Sequence, residues 1–193
     1  MEFTTRTLQR HERDEYARHL ILLDDEGRRL RFASPRGDDA IREYVQKIDL
    51  AQDAIIGVYD ADLTLIGAAH VARGPGYAEV GVSVLRGHRG RGVGSALLSR
   101  SRLHARNLGV AELFTHCAAD NRAMMMLARK HGMRSVVERG EADSYIEVPA
   151  PDASSYTAEL LAERVGTLDH AMKRHLLDSR RMASAFLPLY KLT

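Results

Sequence analysis

Arginine and glycine alternate at Arg89-Gly90-Arg91-Gly92-Val93-Gly94, between an apolar run at residues 77–85 and a helix-like run at residues 95–108. Glycines at alternate positions let the backbone come close to a ligand, and a helix start offers unpaired N–H groups at a positive dipole end. That pattern cradles a phosphate. Two common phosphate binders are excluded by spelling. A Walker A loop needs GxxxxGK[ST], which occurs nowhere in the chain. A dinucleotide fingerprint needs Gly or Ala at its sixth position, whereas counting from Gly90 gives Ser95 and from Gly92 gives Leu97.

The elements that must position this loop follow from periodicity. A short strand is expected at 3–8 and a charged helix at 10–23; Asp24 to Gly27 reads as a turn, and Ser34-Pro35-Arg36-Gly37 as a breaker. Asp38 or Asp39 caps a helix whose apolar face is Ile41, Tyr44, Val45 and Ile48. Residues 54–59 and 63–72 form a hairpin, and Gly74-Pro75-Gly76 turns the chain into a third antiparallel strand at 77–85. Gly81 lies inside that strand, which marks a bulge or a close backbone approach. The helix after the loop leads to a strand at 112–117, which a helical crossover makes parallel to the strand before it. Arg100 falls awkwardly within that helix's apolar arc. A helix over 121–131 and strands at 133–139 and 145–148 complete a region of residues 1–150.

Pro149 and Pro151 close that region, and residues 151–193 are expected to be a helical extension, packed on the domain or at a dimer interface. Its apolar stripe, Leu161, Val165, Leu168 and Met172, most simply packs on its own domain, with a homodimer seam as the competing use. A last apolar patch is expected at Phe186, Leu187, Leu189 and Tyr190. The 193 residues suffice for one well-buried core. A net charge of +2 argues against a general nucleic-acid binder. One cysteine, Cys117, excludes an internal disulfide and a thiolate metal site, and no HExxH spacing suggests a metal. No run approaches the roughly 20 apolar residues that span a bilayer, so the expectation is a cytoplasmic protein without metal, membrane or nucleic-acid partner.

Arg89, Gly92 and Gly94 fit [Q/R]xxGx[G/A], and the chain resembles the GNAT superfamily of N-acetyltransferases, whose acetyl-CoA pyrophosphate loop has this form. The context agrees. Tyr77 to Val84 looks like the family's fourth strand, and Asn121-Arg122-Ala123 through Lys130-His131-Gly132-Met133 looks like its second conserved block. The run Arg28-Arg29-Leu30-Arg31-Phe32 is similar to an element in the GNAT domains of bacterial protein-lysine acetyltransferases. The resemblance implies an α/β (α+β) fold: a mixed, twisted sheet of six to seven strands with flanking helices, its two central parallel strands splayed near Gly81. It also implies acetyl transfer from acetyl-CoA to a primary amine by direct attack in a ternary complex. Glu79 is then the general base, a partly buried carboxylate with a raised pKa. The amides of Val82 and Val84 hold the pantetheine arm, those of Gly90, Arg91, Gly92, Val93, Gly94 and Ser95 hold the pyrophosphate with charge from Arg89 and Arg91, and Asn121 reaches the pantetheine.

One departure stands out. Many family members carry a tyrosine seven residues after that asparagine as acid for the leaving thiolate, and here the position is Ala128. Tyr77, Tyr145 and His116 remain open as replacements. Read against enzymatic function, Ala128 suits a non-catalytic acyl-CoA-binding or regulatory module. The acceptor stays open between a protein lysine and a small amine: a carboxylate-rich pocket favours a cationic small molecule, an open groove a protein chain. His70 and His116, both on strands, read as satisfied interior histidines before acid-base groups, and Cys117 as a small core residue.

Overall fold

Residues 3–186 are described in a computed structural model. Their strands form a single mixed sheet in the order β1-β2-β3-β4-β5-β7-β6. β1 (Arg6–Thr7), β2 (Ala54–Tyr59), β3 (Leu65–Arg73) and β4 (Tyr77–Val84) are antiparallel neighbours, as the period-two runs predict. β5 (Glu112–Ala118) lies parallel to β4, and β7 (Glu141–Glu147) pairs antiparallel with β5 and with β6 (Arg134–Glu138). Every residue of β2 is buried, because helices cover both of its faces: Ile55 enters the core shared with α1 (Arg13–Ile21) and α3 (Asp38–Lys47), and Ile56 the core beneath α4 (Val93–Asn107).

Two expectations in the first half need correction. Asp24 to Gly27 is not a free turn but the start of α2 (Asp25–Phe32), with the Asp24 carboxylate accepting from Gly27 N at 2.9 Å as N-cap. Gly27 reads as the end of a turn, yet a Cβ there would meet Arg89 Nη2 at 2.5 Å, so the glycine lets the phosphate loop approach the helix. The second concerns Gly81. Its pairing with His70 is in register with its neighbours, and the irregularity in the sheet lies at Val58/Tyr59. The reason for a glycine is close approach alone: a Cβ would sit 2.6 Å from the Arg31 guanidinium carbon.

The splay itself is present. β4 and β5 pair only at Tyr77 with Glu112, Ala78 with Leu113 and Glu79 with Phe114, and then part. α5 (Arg122–Lys130) closes one side of the opening and α2 the other.

α6 runs from Ala153 to Phe186, and its first turns lie along α4 and β1. The stripe expected to pack on the domain faces away: Leu161, Val165, Leu168 and Met172 are 63%, 46%, 62% and 58% exposed. The opposite face docks through polar groups. Glu159 accepts from Arg100 Nη1 at 2.6 Å and from Asn107, and lies 2.8 Å from His104 Nδ1. Glu163 reaches Arg100 at 3.3 Å and also accepts from the Thr7 amide. Arg100, misplaced in an apolar arc, is thus a buried anchor for the last helix. Residues 187–190 of the terminal apolar patch fall outside the described residues.

Burial would push the Glu159 carboxyl up, but hydrogen bonds from His104, Arg100 and Asn107 outweigh it and hold the group at about 2. A carboxylate lowered on folding stabilises at pH values above its unfolded pKa and loses that contribution as pH falls through the folded one. Glu159→Gln should therefore cost about 2–3 kcal/mol in urea unfolding at pH 7, because Arg100 is left with one weaker partner. The difference from wild type should shrink as pH drops from about 4.5 to 2.

Candidate active site

The opening between β4 and β5 holds a cavity of about 400 Å³ that passes through the sheet from α2 to α5. Its backbone chemistry follows from pairing. Leu85 N donates to Ile66 O at 2.9 Å, so alternate residues Gly81 and Ser83 turn their N–H groups toward β3, and Val82 and Val84 turn theirs toward the gap. Both residues line the cavity.

At one end of the cavity lies the glycine loop. Gly90 and Gly92 have φ of +73° and +97°, a left-handed backbone that L side chains rarely adopt, whereas Gly94 is already helical. Gly92 is the N-cap of α4 and brings no side chain to it; the helix hydrogen bonds begin with Ala96 N to Gly92 O at 3.0 Å. The amides of Val93, Gly94 and Ser95 are left as the helix's open donors. Gly90, Gly92, Gly94 and Ser95 line the cavity, while Val93 turns its side chain into the core and Arg91 is exposed. Ser95 Oγ is 2.9 Å from His131 Nε2.

Arg89 behaves differently from expectation. Its Nε donates to Val84 O at 3.1 Å and its Nη2 to Asp24 Oδ1 at 2.7 Å, so the guanidinium ties the loop to the start of α2 rather than standing free for an anion. Burial and then the Arg89 hydrogen bond oppose each other at Asp24, and the carboxyl settles below its usual range. His88 and Lys130 also line the cavity, and were not foreseen there. Asn121 is buried at the cavity wall, but its Oδ1 accepts from Met124 N at 3.0 Å as the N-cap of α5. Its amide nitrogen makes no hydrogen bond among the described residues.

Glu79 sits on β4 at the last position paired with β5, on the same side of the sheet as Gly81 and Ser83. The carboxylate expected to be partly buried is exposed, lies outside the cavity lining and makes no hydrogen bond or ion pair among the described residues. Two residues beyond the last pair, on either strand, are Gly81 and His116. His116 lines the cavity, with Nδ1 2.7 Å from Asp143 Oδ1 and Nε2 3.7 Å from Glu141. The Asp143 hydrogen bond lifts its pKa above the ordinary histidine value, against a smaller opposing effect of burial. Of the three candidates for an acid, His116 alone lines the cavity; Tyr77 stacks edge-on against Phe114, 5.4 Å between ring centres, and Tyr145 pairs on β7. Ala128 is fully buried in the α4-side core rather than at the cavity wall, so a tyrosine there would have no space without displacement of neighbours.

Interior roles hold for the remaining histidines of the sheet face. His70 takes Tyr44 OH at 2.8 Å and Asp53 Oδ2 at 3.1 Å; burial and then the charge of Arg31 lower its pKa. His19, unremarked in the sequence, bridges Leu65 O and Ser83 Oγ, and burial pushes it down to about 4. Cys117 is buried, with its thiol pushed up by burial. Among the described residues no group of His, Cys, Asp and Glu has the arrangement of a metal site, and no helix is long and apolar enough to cross a membrane.

Arg31 is named in the sequence only within the run Arg28 to Phe32, and its place at the cavity, like that of His88 and Lys130, was not foreseen. Read as a helix from Asp25, the segment places Arg31 four residues after Gly27, on the face that meets Arg89 and the cavity. The N-cap at Asp24 was the signal that could have found it.

The family model described as Acetyltransferase (GNAT) family matches residues 9–133, more than half of the chain. The chain belongs to this family. This acetyltransferase shares its fold with the GNAT domain of S. lividans PAT, at 20% identity and a TM-score of 0.64, over 74% of this chain and 89% of that one. It is similar in fold to the spermidine N-acetyltransferase of Vibrio cholerae in complex with CoA and spermine, at 20% identity and 0.59, over 81% and 98% of the two chains. The ribosomal-protein-S18-alanine N-acetyltransferase of Escherichia coli is likewise similar, at 16% identity and 0.58, over 78% and 96%. No curated protein sequence matches the chain, so the likeness rests on the family model and on shape.

The two classes of loop glycine make a paired prediction. Gly92→Ala forces a side chain into φ +97° and should weaken acetyl-CoA binding at least about tenfold in calorimetry. At Gly94 a Cβ meets Leu127 at 3.4 Å and Val84 at 3.9 Å, both ordinary contacts, so Gly94→Ala should bind within about threefold of wild type.

Proposed function

We propose that this acetyltransferase transfers the acetyl group of acetyl-CoA to a primary amine by direct attack, with donor and acceptor bound together. The observation that supports it best is the gap between β4 and β5, where the amides of Val82 and Val84 face a cavity that ends on the open amides of the α4 N-terminus. A pantetheine arm carries amides that can pair with a strand edge, and a pyrophosphate suits a helix start. The residues present fit CoA. Gly90 to Ser95 would hold its pyrophosphate, Val82 and Val84 its pantetheine, and Lys130 adds positive charge at the cavity wall.

In the reaction the neutral amine nitrogen attacks the thioester carbonyl carbon, the C–S bond breaks, and the sulfur leaves with the electron pair. The carbonyl oxygen gains charge in the transition state, which a β4 amide stabilises. Two protons must move: one leaves the amine, one reaches the thiolate. Glu79, exposed beside the paired end of the strands, takes the first through water. His116 supplies the second; its hydrogen bond to Asp143 keeps the ring protonated to a higher pH and fixes its orientation.

The test is thiol release from acetyl-CoA with a panel of amines. Glu79→Gln should lower kcat at neutral pH with acetyl-CoA affinity nearly unchanged; unchanged kinetics would remove Glu79 from the mechanism. An acid must be protonated to act, so activity falls on the alkaline side as His116 loses its proton. Asp143→Asn removes the group that lifts the His116 pKa and should move that falling limb to lower pH. A limb that stays in place assigns the proton to another donor. Tight acetyl-CoA binding with no transfer to any amine would instead support a non-catalytic binding module.

A further inference from the structure

The cavity wall contains no aspartate or glutamate: its basic members are Arg31, His88, Arg89, His116 and Lys130. Four of these have partners or duties elsewhere, or stand where CoA phosphates would bring negative charge. Arg31 does not. It projects from α2 to the Gly81 end of the cavity, where its guanidinium lies against the bare backbone of β4. Its Nη2 donates to two neutral oxygens, Tyr44 OH at 2.9 Å and Tyr16 OH at 3.3 Å. Its Nε is closed off from solvent without a partner, and Arg31 forms no ion pair among the described residues. Phe32 and Tyr44 rings flank it at 5.1 and 5.6 Å, so the group is held in one place by apolar surface. The titratable groups around it are Tyr16, Tyr44 and His70, none of which supplies a negative charge at neutral pH; Asp53 is engaged by His70 Nε2 and by the Arg73 amide.

A fixed guanidinium with an unfilled donor set and no counter-charge, facing a cavity, is a site for an anion. We propose that Arg31 binds a carboxylate carried by the acceptor close to its reacting amine, so that the acceptor is a small amino acid rather than a polyamine. The inference rests on the acetyl-transfer reading for the identity of the ligand as an acceptor. A polyamine would meet a cation at the acetyl end and no carboxylate along the wall. An amino acid places its anion on Arg31 and its nitrogen toward the thioester, and the nearby positive charge favours the neutral, nucleophilic form of that nitrogen.

Two measurements on the full chain test this. In the first, amino acids are compared as acceptors with their primary amides, their decarboxylated amines and spermidine. The free carboxylates should be favoured by about 30-fold in kcat/KM, and Arg31→Gln should abolish most of the preference by raising KM, with Arg31→Lys restoring part of it. In the second, protein saturated with CoA is titrated with an N-acetyl amino acid and with its amide. The acid should bind about 30-fold tighter, and the difference should vanish in Arg31→Gln. Equal use and equal binding of acid and amide would overturn the proposal while leaving acetyl transfer intact. Carboxylate-selective binding without transfer to any amine would uphold the anion site and overturn the transferase reading. Melting curves of both variants show whether they fold, and the wild-type comparison stands without them.

Discussion

Backbone donors and acceptors inside a protein must find partners, and a sheet that stops pairing midway leaves them without one. That constraint organises this molecule. β4 and β5 are joined over only three residue pairs, and past Glu79 and Phe114 the amides of Val82 and Val84 face an opening. The strands can afford to part because each keeps a full partner on its other side, β3 for β4 and β7 for β5. Everything attached to the cavity then follows. α2 and α5 wall it, the glycine loop ends it, and Gly81 and His116 stand opposite each other at the point of divergence.

Charge is distributed around the opening in a consistent sense. The wall is cationic, and the acidic groups near it are set back to position other residues: Asp24 caps α2 and holds Arg89, and Asp143 holds His116. An arrangement of this kind suits a polyanionic donor at one end and leaves Arg31 as the uncompensated charge at the other. The same device recurs far from the cavity, where Glu159 and Glu163 neutralise the buried Arg100. In both places an arginine looks misplaced until the element facing it is known.

Much of the scaffold was legible because periodicity reports burial. The strand runs gave the β2–β4 meander, the helix after the loop gave a parallel β5, and of the two motif glycines Gly92 is left-handed while Gly94 is already helical. What escaped depended on contacts between segments distant in sequence. Gly27 read as part of a turn because the approach of Arg89 from the loop is invisible locally, and with α2 went the position of Arg31. The stripe on α6 suggested docking by apolar contact, yet the docked face is the polar one, since its partner on α4 is an arginine. Glu79 read as partly buried from its strand, but the strands separate beside it and leave it in solvent. Ala128 read as a vacated acid position, and it is a core residue.

The polar seam of α6 also joins the two ends of the chain. Asp169 accepts from Thr4 at 2.7 Å, Glu163 from the amide of Thr7, and Gly166 brings its helix so near β1 that a Cβ would collide with Thr5 O. These contacts span more than 150 positions of sequence, with separations of 165 and 156 for the two hydrogen bonds. During synthesis β1 can pair with β2 as soon as that strand is made, but the helix that clasps it follows only after β7, so the α6 contacts of β1 are secured later than the rest of the sheet.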